Sequence, residues 1–319
     1  MLHTPVLFMI FNRPDTTALV FEEIRKAKPK QLFVAADGAR AGREGEAEKC
    51  EQTRQIATKV DWDCEVKTLF RETNMGCGVA PSQNITWFFE QVEQGIILED
   101  DCLPHPSFFR YCEEMLAFYK NDLRVAQISG DNFQHGQKRG PGSYYFSKYT
   151  HICGWATWRD RWQQYDFELS KAEEFKKNRL IEKKCVHAVE QSFWHRKLEM
   201  LSGGKRKDIW DYQWMFACWN MNGLSAVSNV NLISNIGFNQ NATHTVSADP
   251  RVANLSTYDI GPMVHLQEVK QNKEADYYTF FKSGAFFLPS LKDRIRWKLK
   301  ALLPRQLKAL LQKNRLKAS

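Results

Sequence analysis

The sequence predicts an α/β fold, a mostly parallel sheet with helices on both faces. Three observations point to it. Short apolar runs recur along residues 1–130. Stretches with helical spacing separate them. The apolar runs are continuous rather than alternating, which is the pattern of strands buried on both faces. Alternation of such strands with helices gives right-handed βαβ units and hence a parallel sheet.

The elements follow in order. Residues 5–11 (PVLFMIF) read as the first strand and 15–27 as a helix introduced by Pro14. Residues 31–36 (QLFVAA) form a second strand that ends at Asp37-Gly38, and 43–60 are polar and helical. Residues 64–70 (CEVKTLF) are a third strand, 74–78 a loop and 79–94 a helix. Residues 95–98 (GIIL) are a fourth strand running into Glu99-Asp100-Asp101. A helix over 106–119, apolar at 108, 109, 112, 115, 116 and 119, precedes a fifth strand at 125–129.

The second half is less regular. It reads as a strand at 144–146, a loop at 151–155 leading into 156–162, and a charged helix over 171–200 that stops at Gly203-Gly204. A Trp-rich helix over 208–221, with Asp208 as its N-cap, and short strands at 224–230 and 232–236 complete it. The organisation expected is a ligand-binding α/β half (1–135), a second half of the same catalytic domain (136–289), and a separate basic tail (290–319).

Composition narrows the function. A chain of 319 residues with 43% hydrophobic content builds a sizeable core. Residues 290–319 hold ten Lys or Arg and one acid, so their +9 exceeds the chain's +8 and leaves a near-neutral body of −1. This argues against a nucleic-acid-binding body, which needs a basic surface stripe. The eight cysteines contain no C-x-x-C pair, so zinc and thioredoxin-like readings are poor, and their scatter fits buried thiols in a reducing compartment. No apolar run is long enough to span a bilayer. A cytoplasmic protein is expected.

The chemistry sits where such sheets bind ligands, beyond the carboxyl ends of the strands. That rule selects three polar loops, carrying Arg13, Asp37 and Glu99-Asp100-Asp101. Three adjacent carboxylates repel one another unless a cation lies between them and a phosphate, and hard oxygen ligands suit Mg²⁺ or Mn²⁺. The competing reading is a solvated turn that caps the next helix. Asp211, between Trp210 and Trp214, is the candidate general base, since apolar neighbours raise a carboxyl pKa. Gly154 and Trp155 are candidates for contact with a sugar ring, the glycine admitting the ligand to the backbone and the indole stacking on it. His244, in the polar loop 239–245, is a second candidate for the metal. In the tail, Leu and Ile recur at near-helical spacing among Lys and Arg up to Pro304 and after it, the pattern of basic amphipathic helices that bind anionic membrane surfaces.

The motifs VLFMIFNRPD (6–15), VAADG (34–38), GIILEDDCLPHPSFFRYCEEML (95–116), ISGDN (128–132), CGWATW (153–158) and DIWDYQW (208–214) occur in an order that resembles the GT-A glycosyltransferases. The branch resembled most contains the inverting N-acetylglucosaminyltransferase that initiates N-glycan branching, together with bacterial relatives. The resemblance implies a Rossmann-like GT-A sheet and a metal-dependent transfer of sugar from a nucleotide-sugar donor, UDP-linked, to a glycan or lipid-linked glycan acceptor, with inversion. It further implies that Arg13 and Asp37 hold the nucleotide, with Asp37 reading a uracil. Asn84 would stand where the Golgi enzyme has a donor-contacting His. Glu99 would face the donor sugar, Asp100 the ribose and Asp101 the metal. Asp211 matches the region of the catalytic base, although the family's adjacent acid pair is Asp-Tyr in this chain. Two other readings stay open. One is a sugar-nucleotide pyrophosphorylase, which would need a glycine-rich phosphate loop where FNRP (11–14) stands; the other is a carbohydrate-binding protein without activity.

Overall fold

The computed structural model describes residues 1–206, 208–238 and 249–286. His244 and the basic tail lie outside the described residues. The strands are β1 (Val6–Ile10), β2 (Gln31–Ala36), β3 (Glu65–Phe70), β4 (Gln94–Glu99), β5 (Cys102–Pro104), β6 (Val125–Ser129), β7 (Tyr144–Ser147), β8 (Trp155–Trp158), β9 (Leu224–Ser228) and β10 (Ile233–Asn235). The helices are α1 (Pro14–Ala27), α2 (Glu46–Ala57), α3 (Gly76–Phe89), α4 (Ser107–Phe118), α5 (Arg159–Trp162), α6 (Ala172–Lys177), α7 (Leu180–Lys184), α8 (Ala188–Leu201), α9 (Asp211–Asn220) and α10 (Lys273–Phe281).

Eight strands form one sheet in the order β3-β2-β1-β4-β8-β6-β9-β7, and β10 pairs with β5 in a small antiparallel ribbon. The first four run parallel, β8 runs against both β4 and β6, β9 returns parallel to β6, and β7 closes the edge antiparallel. Six of the eight strands therefore share one direction, so their carboxyl ends lie along one edge of the sheet.

The continuous apolar runs have the cause expected of them. In β1, Val6, Phe8 and Ile10 face one core with Val20, Phe21 and Ile24 of α1 and Phe108, Cys112 and Met115 of α4. Leu7 and Met9 face the opposite core with Ile85, Phe88 and Phe89 of α3, Trp162, Trp210 and Trp214. Each large side chain fully buried in this way stabilises the fold by about 1.5–3 kcal/mol. A third core joins the second half through Tyr149, Phe175, Trp194, Trp219 and Phe280. Among the described residues no helix is long and apolar enough to cross a membrane.

The second half departs from its reading in three places. The charged stretch 171–200 is not one helix but α6, α7 and α8, because Arg179 takes a left-handed φ of 52° and the chain extends at Cys185 and His187. Asp208 does not cap α9. It pairs with Arg206 at 2.5 Å, and α9 begins at Asp211. Residues 155–158, read as the end of a loop and an unassigned stretch, are a strand inside the sheet.

Candidate functional site

The chain turns from β1 into α1 over three residues, Phe11 to Arg13, with Pro14 as the first helical residue. Proline is favoured there because the amide it lacks would have no helical partner. Arg13 makes no capping bond; its guanidinium turns back toward the loop after β4. It donates to Asp100, and to Asp101 Oδ2 at 2.9 Å. Asp100 also accepts the Phe11 amide at 3.1 Å. At 2% exposure, Asp100 is a buried strut that ties the first loop to the fourth. Asp101 is the more open of the two, with 17% side-chain exposure.

β10 completes the Asp101 side. The Ile236 amide donates to the Asp101 carbonyl at 2.9 Å, and the backbone of Gly237 lies against the carboxylate. A Cβ at 237 would stand 2.1 Å from Asp101 Oδ2 and 2.8 Å from the Arg13 guanidinium. Only glycine leaves that ion pair undisturbed.

Asp37, after β2, is 7% exposed. Its carboxylate accepts the amides of Gly38, Met75 and Gly76 and the Asn74 side chain, all at 2.9–3.0 Å. It fixes the loop that starts α3. The expected direct reading of a uracil is revised accordingly, because both oxygens are already occupied by donors of the chain. Asn84 of α3 is 3% exposed and accepts a hydrogen bond from Arg71.

These parts enclose one cavity of about 360 Å³, whose walls include Arg13, Asp37, Asn84, Glu99, Asp100 and Asp101. All six were read from sequence as donor or metal contacts, and they come from three strand ends and one helix. Sequence reading passed over Arg40, Asn74 and Gly237 in the same walls. Arg40 donates to Glu46 and lies over the Phe11 ring at 5.5 Å, while Glu46 also accepts from Asn12 at 3.0 Å. The visible trace of this group was a polar, arginine-containing loop directly after β2.

The electrostatics are unbalanced. Burial, then Asp101 and Asp100, push the Glu99 carboxyl up to about 8, with Arg13 opposing and Asp211 adding to the rise. Burial raises Asp100 to about 6 against the pull of Arg13. The acids thus outnumber the one guanidinium that meets them. Among the described residues no three His, Cys, Asp or Glu side chains are grouped to hold a metal. A hard divalent ion still fits this donor set in the manner of Mg²⁺, which takes one or two carboxylates and completes its shell with substrate phosphates and water.

The remaining candidates are elsewhere. Asp211 starts α9 and acts electrostatically on Glu99 and Tyr165, but it is not part of the cavity wall. Trp155 is a correction. It is fully buried in β8, stacked with Trp210 at 6.2 Å and tilted on Trp214 at 5.8 Å, so no sugar ring reaches its face. Gly154 is a second correction. Its φ is 68°, and a Cβ there would lie 2.4 Å from the Ile233 side chain, so the missing side chain makes room for β10 rather than for a ligand.

No family model matches the chain, and no curated protein matches it. Among solved structures, it is similar to an apo UDP-glucose pyrophosphorylase at 9% identity and a TM-score of 0.36, over 73% of this chain and 93% of that one. It is similar to an inositol-1-phosphate CTP transferase from T. maritima at 7% identity and a TM-score of 0.35, over 72% and 86%. A cytidylyltransferase from Leptospira borgpetersenii matches at 11% identity and a TM-score of 0.34, over 51% of this chain and 64% of its own length, under two thirds. These three are nucleotidyltransferases rather than glycosyltransferases. At such identities and TM-scores no activity passes from them to this chain, and the α/β architecture with its mostly parallel sheet rests on the strand order itself.

Proposed function

We propose that the chain transfers a sugar from a nucleotide-sugar, UDP-linked, to a hydroxyl of a glycan or lipid-linked glycan, with a divalent cation at Asp101. One observation carries this reading: loops after β1, β2 and β4 bring Arg13, Asp37 and Glu99-Asp100-Asp101 to a single acid-rich cavity. A diphosphate alone would be repelled from such a cavity and is accepted when a cation stands between the charges. Bound there, Mn²⁺ or Mg²⁺ would supply Lewis-acid stabilisation of the charge that develops on the leaving diphosphate.

The chain's own residues do the rest. Arg13 holds Asp100 and Asp101 in place, and Asp37 fixes the loop 74–76 against which the nucleotide lies. Arg40, on the Phe11 ring, offers a cation to the anionic donor. Glu99 faces the donor sugar. Asp211 takes the proton of the attacking hydroxyl, and a single displacement inverts the anomeric centre. In this scheme residues 1–135 hold the donor, 136–289 face the acceptor, and 290–319 bring the enzyme to an anionic membrane on the cytoplasmic side. A chain ending at Pro289 should lose binding to anionic vesicles in sedimentation; unchanged binding removes that last element.

Nucleotidyl transfer is the second reading, suggested by the names of the structural neighbours. The three-residue connection Phe11 to Arg13 disfavours it, since there is no glycine-rich loop to wrap a triphosphate. Product analysis separates the readings. With a UDP-sugar, Mn²⁺ and a glycan acceptor, a glycosyltransferase releases UDP. With a UDP-sugar and pyrophosphate, a pyrophosphorylase releases UTP and a sugar phosphate. A binding protein without activity yields neither.

A further inference from the structure

No disulfide joins any of the eight cysteines, and two of them meet beside the acid loop. Cys102 follows Asp101 and opens β5, whereas Cys153 precedes Gly154 at the entrance to β8. They lie 51 positions apart, yet their sulfurs are 2.9 Å from each other. Less than about 1 Å of further approach brings two sulfurs to bonding distance. Both segments are held by the same short strand: Cys102 pairs with Asn235 of β10, and Gly154 packs on Ile233 of β10. Gly154 is further fixed by its carbonyl, which accepts the Gly130 amide at 2.9 Å. Backbone pairing therefore holds the two segments that carry these thiols side by side. Cys153 is half-buried and Cys102 is buried.

We propose that Cys102 and Cys153 form a reversible disulfide on exposure to a peroxide, tying the acid loop to the entrance of β8. The Cys153 thiolate attacks one peroxide oxygen, the O–O bond breaks, and sulfenic acid and hydroxide form. The Cys102 thiolate then attacks the sulfenic sulfur and displaces a second hydroxide. Two thiols and one hydrogen peroxide thus yield one disulfide and two waters, and a dithiol reductant reverses the change. In the reduced chain the Cys102 thiol donates to Asp101 Oδ1 at 3.5 Å. The disulfide has no proton to donate, so oxidation removes one donor from Asp101. That consequence for cation and nucleotide rests on the function proposed above; the disulfide itself does not.

The test treats the full chain with hydrogen peroxide, alkylates it after denaturation and maps its peptides. The expected result is alkylation of six of the eight cysteines, a linked pair of peptides carrying 102 and 153, and full reversal by dithiothreitol. A Cys153→Ala chain should give no linked peptide. Overturning results are no 102–153 link, links spread over other cysteines, or oxidation that the reductant does not reverse. Oxidation should also change the Kd for UDP with Mn²⁺ by about fivefold or more, restored on reduction. An unchanged Kd with the link formed overturns the effect on Asp101. Absence of UDP binding in both states counts against the proposed function and leaves the link standing.

Discussion

The buried ion groups around Lys148 and around Arg13 differ in access. In the second half, Lys148 pairs with Glu190, which also accepts from the Tyr149 hydroxyl; the Lys148 and Glu190 side chains are 7% and 3% exposed. The Lys148 ammonium also donates to the Lys184 carbonyl at 2.8 Å, a second buried acid, Asp276, accepts the Lys148 amide at 3.4 Å, and the group is sealed. At the carboxyl edge of the sheet, one Arg13 meets Asp100 and Asp101, Glu99 adds a third acid, and a cavity opens onto them. A closed group gives a ligand no route to its charge. The open one has two acids on one guanidinium and a cavity that leads to them. The contrast teaches that access, and not buried charge alone, separates the two groups.

Substitutions can break the contrast. The largest effect should come from Asp101→Asn, which keeps the shape and removes the charge: kcat/KM should fall about 10³-fold while circular dichroism stays that of the parent. An active variant would show that the open group is structural too. Glu190→Ala should do the reverse, costing about 3–5 kcal/mol in urea unfolding by leaving Lys148 buried and unpaired, with kcat/KM of the folded enzyme unchanged. Gly237→Ala introduces a Cβ 2.1 Å from Asp101 Oδ2, so the acid must move. Its expected signature is a loss of about hundredfold in kcat/KM with the urea midpoint retained.

The smallest effect concerns a buried group that avoids charge. Burial lowers His151 from 6.5 to about 4. Its folded-state pKa lies below its unfolded value, so its contribution is present above about pH 6.5 and is lost as pH falls toward about 4. Between about pH 7 and about pH 4.5, unfolding titrations of the parent should lose about 2 kcal/mol that His151→Gln does not lose. Glu99, Asp100 and Asp276 are raised and run the opposite way, which is why the difference between parent and variant is the quantity to read.

Much of the first half was legible because burial on both faces writes itself as unbroken apolar runs. β1, β2, β4 and β6 lie within a residue or two of their expected positions. The loops at their ends were legible for the same reason, and with them Arg13, Asp37 and the acid triplet. What the triplet's members do was not. Asp100 is sealed by Phe11 and Arg13, and that depends on a guanidinium turning back across the loop. The engagement of Asp37 depends on amides of residues 75 and 76. Gly237 matters only because β10 returns beside Asp101 from far along the chain. Trp155 misled for the opposite reason. A four-residue strand with two Trp has no periodicity to set it apart from an aromatic loop, and only its place between β4 and β6 makes it core.

The central claim is that the open acid group at the sheet edge binds a nucleoside diphosphate through a divalent cation. Titration calorimetry with UDP, with and without Mn²⁺, on the parent and on Asp101→Asn tests it most directly. The parent should bind UDP only with Mn²⁺, and the variant should not bind it. UDP binding that is indifferent to both Mn²⁺ and Asp101, or no UDP binding by the parent at all, would contradict it.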